Sequence, residues 1–292
     1  MKVSYYPGCT LKSNAKNFED SALCALRELG VDVQELRRWN CCGTVYSLAT
    51  DDLMHHLASI RNLIRVKEAE ADSVMTLCAM CYNTLKRVNE KVKSDPDSLQ
   101  KIHKFMDEEK IAYRGDVKVR HMLELLREDI KFETIGKKVK KPLQNLKVAS
   151  YYGCLLVRPK EIGLDDMENP TILDNLAAVL GAEAVDFPYK TECCGAYQTV
   201  DKPEMVADRT YNILTSAESR GAEVVAVSCP LCAFNLDHRQ KETAQKHSDF
   251  KKVPILYFTQ LLAIAVGCGE ESLRLDLHYV DPKPLLRQKG LI

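Results

Sequence analysis

Ten of the chain's 12 cysteines follow one spacing rule written twice, and this repeat limits the possible folds more than any other feature. The first set is Cys9, then Cys41-Cys42-Gly43, then Cys78-Ala79-Met80-Cys81. The second is Cys154, then Cys193-Cys194-Gly195, then Cys229-Pro230-Leu231-Cys232. The gaps are 31 and 35 residues in the first set, 38 and 34 in the second. The surroundings repeat as well: Tyr5-Tyr6-Pro7-Gly8-Cys9 is echoed by Tyr151-Tyr152-Gly153-Cys154. Self-similarity over this distance marks an internal duplication. The 292 residues are therefore expected to form two similar domains, 1–140 and 141–292, each long enough for its own core.

The secondary-structure signals follow the same period. Each half opens with an apolar or aromatic run (Val3–Tyr6, Val148–Tyr152) that leads into its first cysteine. Phe18, Ala22, Ala25, Leu26 and Leu29 recur at helical spacing before Gly30, and Ile172 to Leu180 before Gly181. Strands are expected at Val31–Leu36 and Ala184–Phe187, and helices at Leu53–Ala69 and Met205–Arg220. Ser73–Leu77 and Val224–Val227 read as strands delivering the Cys-x-x-Cys pairs, with a helix starting inside each pair. Val117–Met122 and Val253–Phe258 close each half as strand then helix. Strands alternating with helices predict an α/β fold of two pseudo-symmetric, Rossmann-like halves with parallel sheets. The cysteines then stand at strand C-terminal ends, where open α/β sheets place their ligands. Between the Cys-x-x-Cys and the last strand the first half is 15 residues longer, in the charged Lys86–Lys110 region, expected as a longer helix or loop. Lys137-Lys138-Val139-Lys140-Lys141-Pro142 reads as a solvated linker.

Composition narrows the chemistry. Lys+Arg and Asp+Glu number 41 each, so the chain lacks the global positive field of a nucleic-acid binder. Its N-terminus shows no apolar signal region, and no run approaches the roughly 18 apolar residues of a membrane span. A cytoplasmic location is expected, where thiols stay reduced and regular cysteine spacing points to metal or redox chemistry. Two Cys-x-x-Cys pairs alone would suit a four-thiolate zinc or iron–sulfur site. Here each half offers five thiols. Adjacent residues in a bent loop reach two metal atoms more readily than two corners of one mononuclear site, and Gly43 and Gly195 let the backbone turn beside them. The spacing favours a multinuclear, thiolate-rich iron–sulfur centre in each half.

The paired Cys-x31-Cys-Cys-Gly and Cys-x-x-Cys pattern, with Tyr151–Pro159 and Ser228-Cys229-Pro230-Leu231-Cys232, resembles the B subunit of heterodisulfide reductase, over nearly the whole chain. That resemblance implies two noncubane [4Fe-4S] clusters, one held by Cys9, Cys41, Cys42, Cys78 and Cys81, the other by Cys154, Cys193, Cys194, Cys229 and Cys232. It implies reduction of the mixed disulfide of coenzyme M and coenzyme B to two thiols in methanogenesis, with the catalysis borne by these cysteines. The two clusters would flank the disulfide and each deliver one electron. It also implies a ferredoxin-like C subunit, a flavin-containing A subunit, and a hydrogenase or formate dehydrogenase in the larger assembly. Related clusters also serve lactate or glycolate oxidation and sulfur metabolism, and a zinc or scaffold module is a further alternative.

The anionic coenzymes call for basic contacts, for which Lys12 and Arg158, just after the two lead cysteines, are candidates beside a surface role. His55 and His56 are candidate proton donors, His55 also a candidate substrate contact, beside solvated or capping roles. His121 is expected in a buried hydrogen bond, with Tyr257 as its counterpart. Cys24 and Cys268 read as buried or incidental thiols. The segment Leu273–Ile292 is expected either to dock a partner or to fold onto its own chain.

Overall fold

A computed structural model describes residues 1–44 and 56–292. Two four-stranded sheets form, each entirely parallel. The first holds β1 (Lys2–Tyr5), β2 (Asp32–Glu35), β3 (Ser73–Thr76) and β4 (Lys118–His121) in the order β2-β1-β3-β4. The second holds β5 (Lys147–Tyr151), β6 (Glu183–Val185), β7 (Val224–Val227) and β8 (Ile255–Tyr257) in the matching order β6-β5-β7-β8. The chain is an α/β protein in two halves, as the repeat predicted. Parallel strands need crossovers, and the helices supply them.

In the first half these are α1 (Lys16–Glu28), α2 (Leu57–Glu68), α3 (Ala79–Ser94), α4 (Pro96–Phe105), α5 (Met122–Glu124, continuing as a π-helical stretch Leu125–Ile130) and α6 (Phe132–Lys138). In the second they are α7 (Ile172–Val179), α8 (Pro203–Glu218), α9 (Pro230–His238), α10 (Gln240–Lys246), α11 (Phe258–Val266) and α12 (Lys283–Gln288). The expected helix Leu53–Ala69 is seen from Leu57, and its start lies outside the described residues. The extra length of the first half is spread over a longer α3, a longer α4 than its counterpart α10, and a longer loop before β4; Asp95 caps α4 by accepting from the Ser98 N–H (3.0 Å).

The halves share one core. α1 of the first half lies along α11 of the second. Phe18 stacks on Tyr257 with ring centroids 4.2 Å apart and meets Phe258 edge-on at 5.7 Å. The Ser21 and Thr259 hydroxyls are 2.7 Å apart, and Cys24 is disulfide-bonded to Cys268. The reading of those two cysteines as incidental thiols is corrected: α1 and the end of α11 bring them together.

Two further expectations take definite form. The lysines of the Lys137–Pro142 stretch are exposed, as a solvated linker requires, yet the stretch is anchored: Lys137 and Lys138 end α6, and the Lys140 and Lys141 N–H groups both donate to the Ala265 carbonyl (2.8 and 3.0 Å). Leu143 then enters the core. The C-terminal segment folds onto its own chain: Leu273, Leu275, Leu286 and Leu291 are buried, and the Asp237 carboxylate accepts from the Tyr279 and Val280 N–H groups (2.7 and 3.0 Å). His278 Nε2 accepts from Gln260 Nε2 (2.8 Å) and Asn17 Nδ2 (3.2 Å), tying the tail to both halves.

Two outcomes test this packing. Phe18→Ala is expected to cost about 3–5 kcal/mol in denaturant unfolding, and a loss below about 1 kcal/mol would mean that the halves do not share this core. Burial pushes the His278 pKa down to about 4. The unfolded chain therefore takes up the proton first, and this contribution is complete above about pH 6.5 and falls as the pH drops towards 4, by up to about 1.4 kcal/mol per pH unit. A His278→Gln variant is expected to show a flatter slope in denaturation midpoints between pH 7 and 5.

Candidate functional site

Each half delivers its thiols from the same strand ends. Cys9 follows β1 and Cys154 follows β5, while Cys78 and Cys229 are the N-cap residues of α3 and α9 at the ends of β3 and β7. Cys42, Cys78, Cys81, Cys194, Cys229 and Cys232 are buried, and Cys9 and Cys41 are exposed. Cys9 Sγ lies 3.7 Å from Cys41 Sγ, Cys42 Sγ 3.7 Å from Cys81 Sγ, and Cys194 Sγ 3.5 Å from Cys232 Sγ. The two sets also meet: the Ala79 N–H donates to the Ser228 carbonyl at 3.1 Å, and the Cys229 thiol raises the Cys78 pKa. All five thiols of the second set line one small cavity, whose wall includes Ala79 and Met80 of the first half.

The backbone beside the thiols is built for close approach. Gly8 and Gly153 have φ of +74° and +63°, and a Cβ there would stand 3.0 Å from Cys81 Sγ and 3.2 Å from Cys232 Sγ. Both the left-handed backbone and the missing side chain are therefore required. Gly43 and Gly195, at +74° and +79°, turn the chain after each cysteine pair.

Two tyrosines escaped the sequence reading. The Tyr6 hydroxyl donates to the Asn40 carbonyl (2.8 Å) and the Tyr151 hydroxyl to the Glu192 carbonyl (2.6 Å), in each case the residue just before the Cys-Cys pair. Aligning the halves on Cys9 and Cys154 places these tyrosines in register, which is the signal that identifies them. Asn235 Nδ2 donates to the Cys194 carbonyl (3.0 Å) and lies 3.6 Å from Cys194 Sγ. Arg209 donates to the Cys193 carbonyl (3.1 Å).

The thiols share too few charges for the number of groups. The bond to Cys154 draws the Cys193 pKa down to about 6 against burial, with help from the Gly195 N–H and Arg209, while the same bond and burial push Cys154 up. Bonds from Cys41 and Cys81 hold Cys42 down, and its bond to Cys42 pushes Cys81 up. Cys232 and Cys78 hold Cys229 down and are themselves raised. Like charges packed this closely cannot all ionise without added positive charge. Among the described residues, no three His, Cys, Asp or Glu side chains surround one point at which a single metal ion would sit. The sulfurs stand as neighbouring pairs around a glycine-cleared space. This donor set fits a multinuclear thiolate-bound group better than a tetrahedral zinc.

The other candidates lie elsewhere. Lys12 is engaged by Glu19 (2.9 Å) and Glu35 (2.6 Å), and Arg158 by Glu168 (3.0 Å) and the Thr191 carbonyl (2.9 Å). Neither lines the cavity of the second thiol set, and both are held by carboxylates. His55 lies outside the described residues, and His56 is buried at the start of α2. His121 is fully buried, its Nε2 bonded to the Leu77 carbonyl (2.6 Å) and its Nδ1 accepting from the Leu123 N–H (3.2 Å). Burial pushes its pKa down to about 3, so it holds the end of β3 as a neutral ring. Tyr257 occupies the equivalent N-cap of α11.

The fold and the ten thiols together define a tandem cysteine-rich α/β protein. A family model described as the cysteine-rich domain, CCG, matches residues 3–86 and 148–237, and the chain belongs to that family in two copies. It is 31% identical, over 97% of its length and 99% of the relative's, to the 8-methylmenaquinol:fumarate reductase membrane anchor subunit of Wolinella succinogenes. It is 29% identical, over 96% of its length and 94% of the relative's, to the B subunit of the ferredoxin/F(420)H(2)-dependent CoB-CoM heterodisulfide reductase from Methanosarcina acetivorans. A solved structure of a hypothetical protein from Helicobacter pylori has the same fold (TM-score 0.75, 14% identity), covering 95% of this chain and 51% of that one. No helix among the described residues is long and apolar enough to cross a membrane.

The glycine cradle can be tested directly. Gly153→Ala is expected to reduce iron loading of the anaerobically purified chain by about half, while Gly30→Ala, whose Cβ would meet open space, leaves it unchanged. Equal loading in both variants would remove the cradle from the site.

Proposed function

We propose that the chain is an iron–sulfur protein of the heterodisulfide reductase B type, working within a larger complex and reducing the coenzyme M–coenzyme B disulfide to two thiols in methanogenesis. The observation that carries this reading is the Ala79–Ser228 backbone bond, 3.1 Å long, which joins the two Cys-x-x-Cys turns and so brings the two five-thiol sets together. Each set holds one noncubane [4Fe-4S] cluster, with Cys9, Cys41, Cys42, Cys78 and Cys81 on one side and Cys154, Cys193, Cys194, Cys229 and Cys232 on the other. Such clusters supply single electrons and an iron atom able to take up a thiolate sulfur. A disulfide needs two electrons, and the duplication provides two sites that meet across a single seam.

The chain's own residues prepare that seam. The Ala79–Ser228 backbone bond fixes the distance between the two Cys-x-x-Cys turns. Ala79 and Met80 of the first half form part of the second cavity's wall. Tyr6 and Tyr151 hold the Cys-Cys loops at their entry. The electrons arrive from partners, for which a ferredoxin-like C subunit and a flavin-containing A subunit, linked to a hydrogenase or formate dehydrogenase, are proposed in a cytoplasmic assembly.

The Wolinella relative favours a second reading, in which the same two clusters pass electrons within a quinol-linked reductase. Turnover separates the two. With a reduced viologen as donor, the chain is expected to reduce the coenzyme disulfide and to develop a new EPR signal when the free coenzyme thiols are added under mild oxidation. Cys78→Ala and Cys229→Ala are each expected to lower turnover by about 100-fold or more. Substantial activity in either variant would overturn the two-site mechanism, and no disulfide turnover in the wild type would favour the relay.

A further inference from the structure

The two halves repeat their cysteines but not the side chains that touch them. α3 and α9 each carry a polar residue three positions after the second cysteine of the Cys-x-x-Cys pair, on the helix face of that thiol. In the first half it is Thr84, in the second Asn235. Asn235 Nδ2 donates to the Cys194 carbonyl (3.0 Å) and stands 3.6 Å from Cys194 Sγ, within reach of an N–H···S bond. The Thr84 hydroxyl is spent on the Thr44 hydroxyl, 3.0 Å away.

A second position differs in the same sense. Arg209 on α8 donates to the Cys193 carbonyl (3.1 Å) and brings a positive charge beside the pair. Aligning the halves on their Cys-Cys-Gly loops puts Leu57 of α2 in its place, and aligning them on Cys-x-x-Cys puts Ala58 there. Neither register supplies a charge. The Thr210 hydroxyl donates to the Asn235 carbonyl (3.1 Å), which ties α8 to α9 and holds the two side chains on one support.

Asn235 keeps its amide at a cost. It is fully buried, and its Oδ1 finds no donor among the described residues. A buried acceptor without a partner is unfavourable. Turning the amide over would set that oxygen against the Cys194 carbonyl, acceptor against acceptor, so the Nδ2 group is the one that faces the thiol. The gain is a donor aimed at a sulfur ligand. Hydrogen bonds and positive charge at thiolate sulfur favour the more negative, reduced state of an iron–sulfur group and raise its potential. The effect is strongest where water is excluded.

We propose that Asn235 and Arg209 give the second set the higher reduction potential, so that the first electron to arrive comes to rest among Cys154, Cys193, Cys194, Cys229 and Cys232. The proposal rests on the iron–sulfur reading for the groups that are tuned. The step is a one-electron reduction by the ferredoxin-like donor, with no bond made or broken. Asn235 and Arg209 are positioning residues, acting through the thiol ligands and their backbone. The duplicated sets thereby fill in a fixed order, the second before the first.

The test is an anaerobic redox titration of the full iron-loaded chain, poised with dithionite and mediators and read by EPR and visible absorbance. Two one-electron midpoints are expected. Asn235→Thr, which installs the first half's residue, is expected to lower the upper midpoint. At the wild-type upper midpoint the ratio of reduced to oxidised group falls at least tenfold, a shift of about 59 mV, while the ratio at the lower midpoint changes less than twofold. Arg209→Leu is expected to move the upper midpoint in the same direction, at least threefold in that ratio. Thr84→Asn is expected to raise the lower midpoint and narrow the gap. A single midpoint in the wild type, an upper midpoint unmoved by Asn235→Thr and Arg209→Leu, or an equal fall in both midpoints overturns the proposal. Where Asn235→Thr fails to hold iron, Arg209→Leu and Thr84→Asn decide, and no shift in either overturns it. Iron and sulfide are measured on every sample. A wild-type chain without them would overturn the iron–sulfur reading and this assignment together, whereas two loaded groups with unmoved potentials would overturn this assignment alone.

Discussion

Ten sulfur donors gathered at the meeting point of two sheets are the constraint on which the rest of the structure depends. Burying a thiolate without a counter-charge is costly, and the protein brings little positive charge to this place. Arg209 bonds the Cys193 carbonyl and helps only that one thiol, while Lys12 and Arg158 are spent on carboxylates. The thiols consequently share protons in pairs, one held down and its neighbour pushed up. A bound cationic group relieves that conflict, and the clearance left by Gly8 and Gly153 gives it room.

The same constraint explains why the halves are not independent beads. The two Cys-x-x-Cys turns are bonded to each other, so any relative movement of the sheets would pull the sulfur sets apart. The packing of α1 on α11, the Phe18–Tyr257 stack and the His278 bonds to Asn17 and Gln260 all resist that movement. Rigid surroundings preorganise a site of this kind. The departures from symmetry occur beside the site: Asn235 and Arg209 of the second half stand where the first half has Thr84 and Leu57 or Ala58.

Much of this is legible in the sequence because it is local. Strand and helix periodicity between the cysteines places all eight strands of the described residues, and the parallel order follows from their alternation with helices. The cysteine spacing also names the thiols that come together. What escapes is long-range. Cys24 and Cys268 are 244 residues apart, and no local pattern marks them as a pair. The acids that occupy Lys12, Glu19 and Glu35, come from a helix and a neighbouring strand, so a cation chosen for its nearness to Cys9 proves to be engaged. The lysine run reads as solvated because its charges are visible in sequence, whereas the backbone bonds to Ala265 that anchor it are not. Tyr6 and Tyr151 are readable in principle, once the halves are aligned on their lead cysteines.

The central claim is that the ten thiols hold two multinuclear iron–sulfur groups. Quantifying iron, acid-labile sulfide and zinc in the anaerobically purified full chain tests it most directly. The account predicts about eight iron and eight sulfide per chain with negligible zinc. Zinc at one or two atoms per chain, with little iron or sulfide, would contradict it.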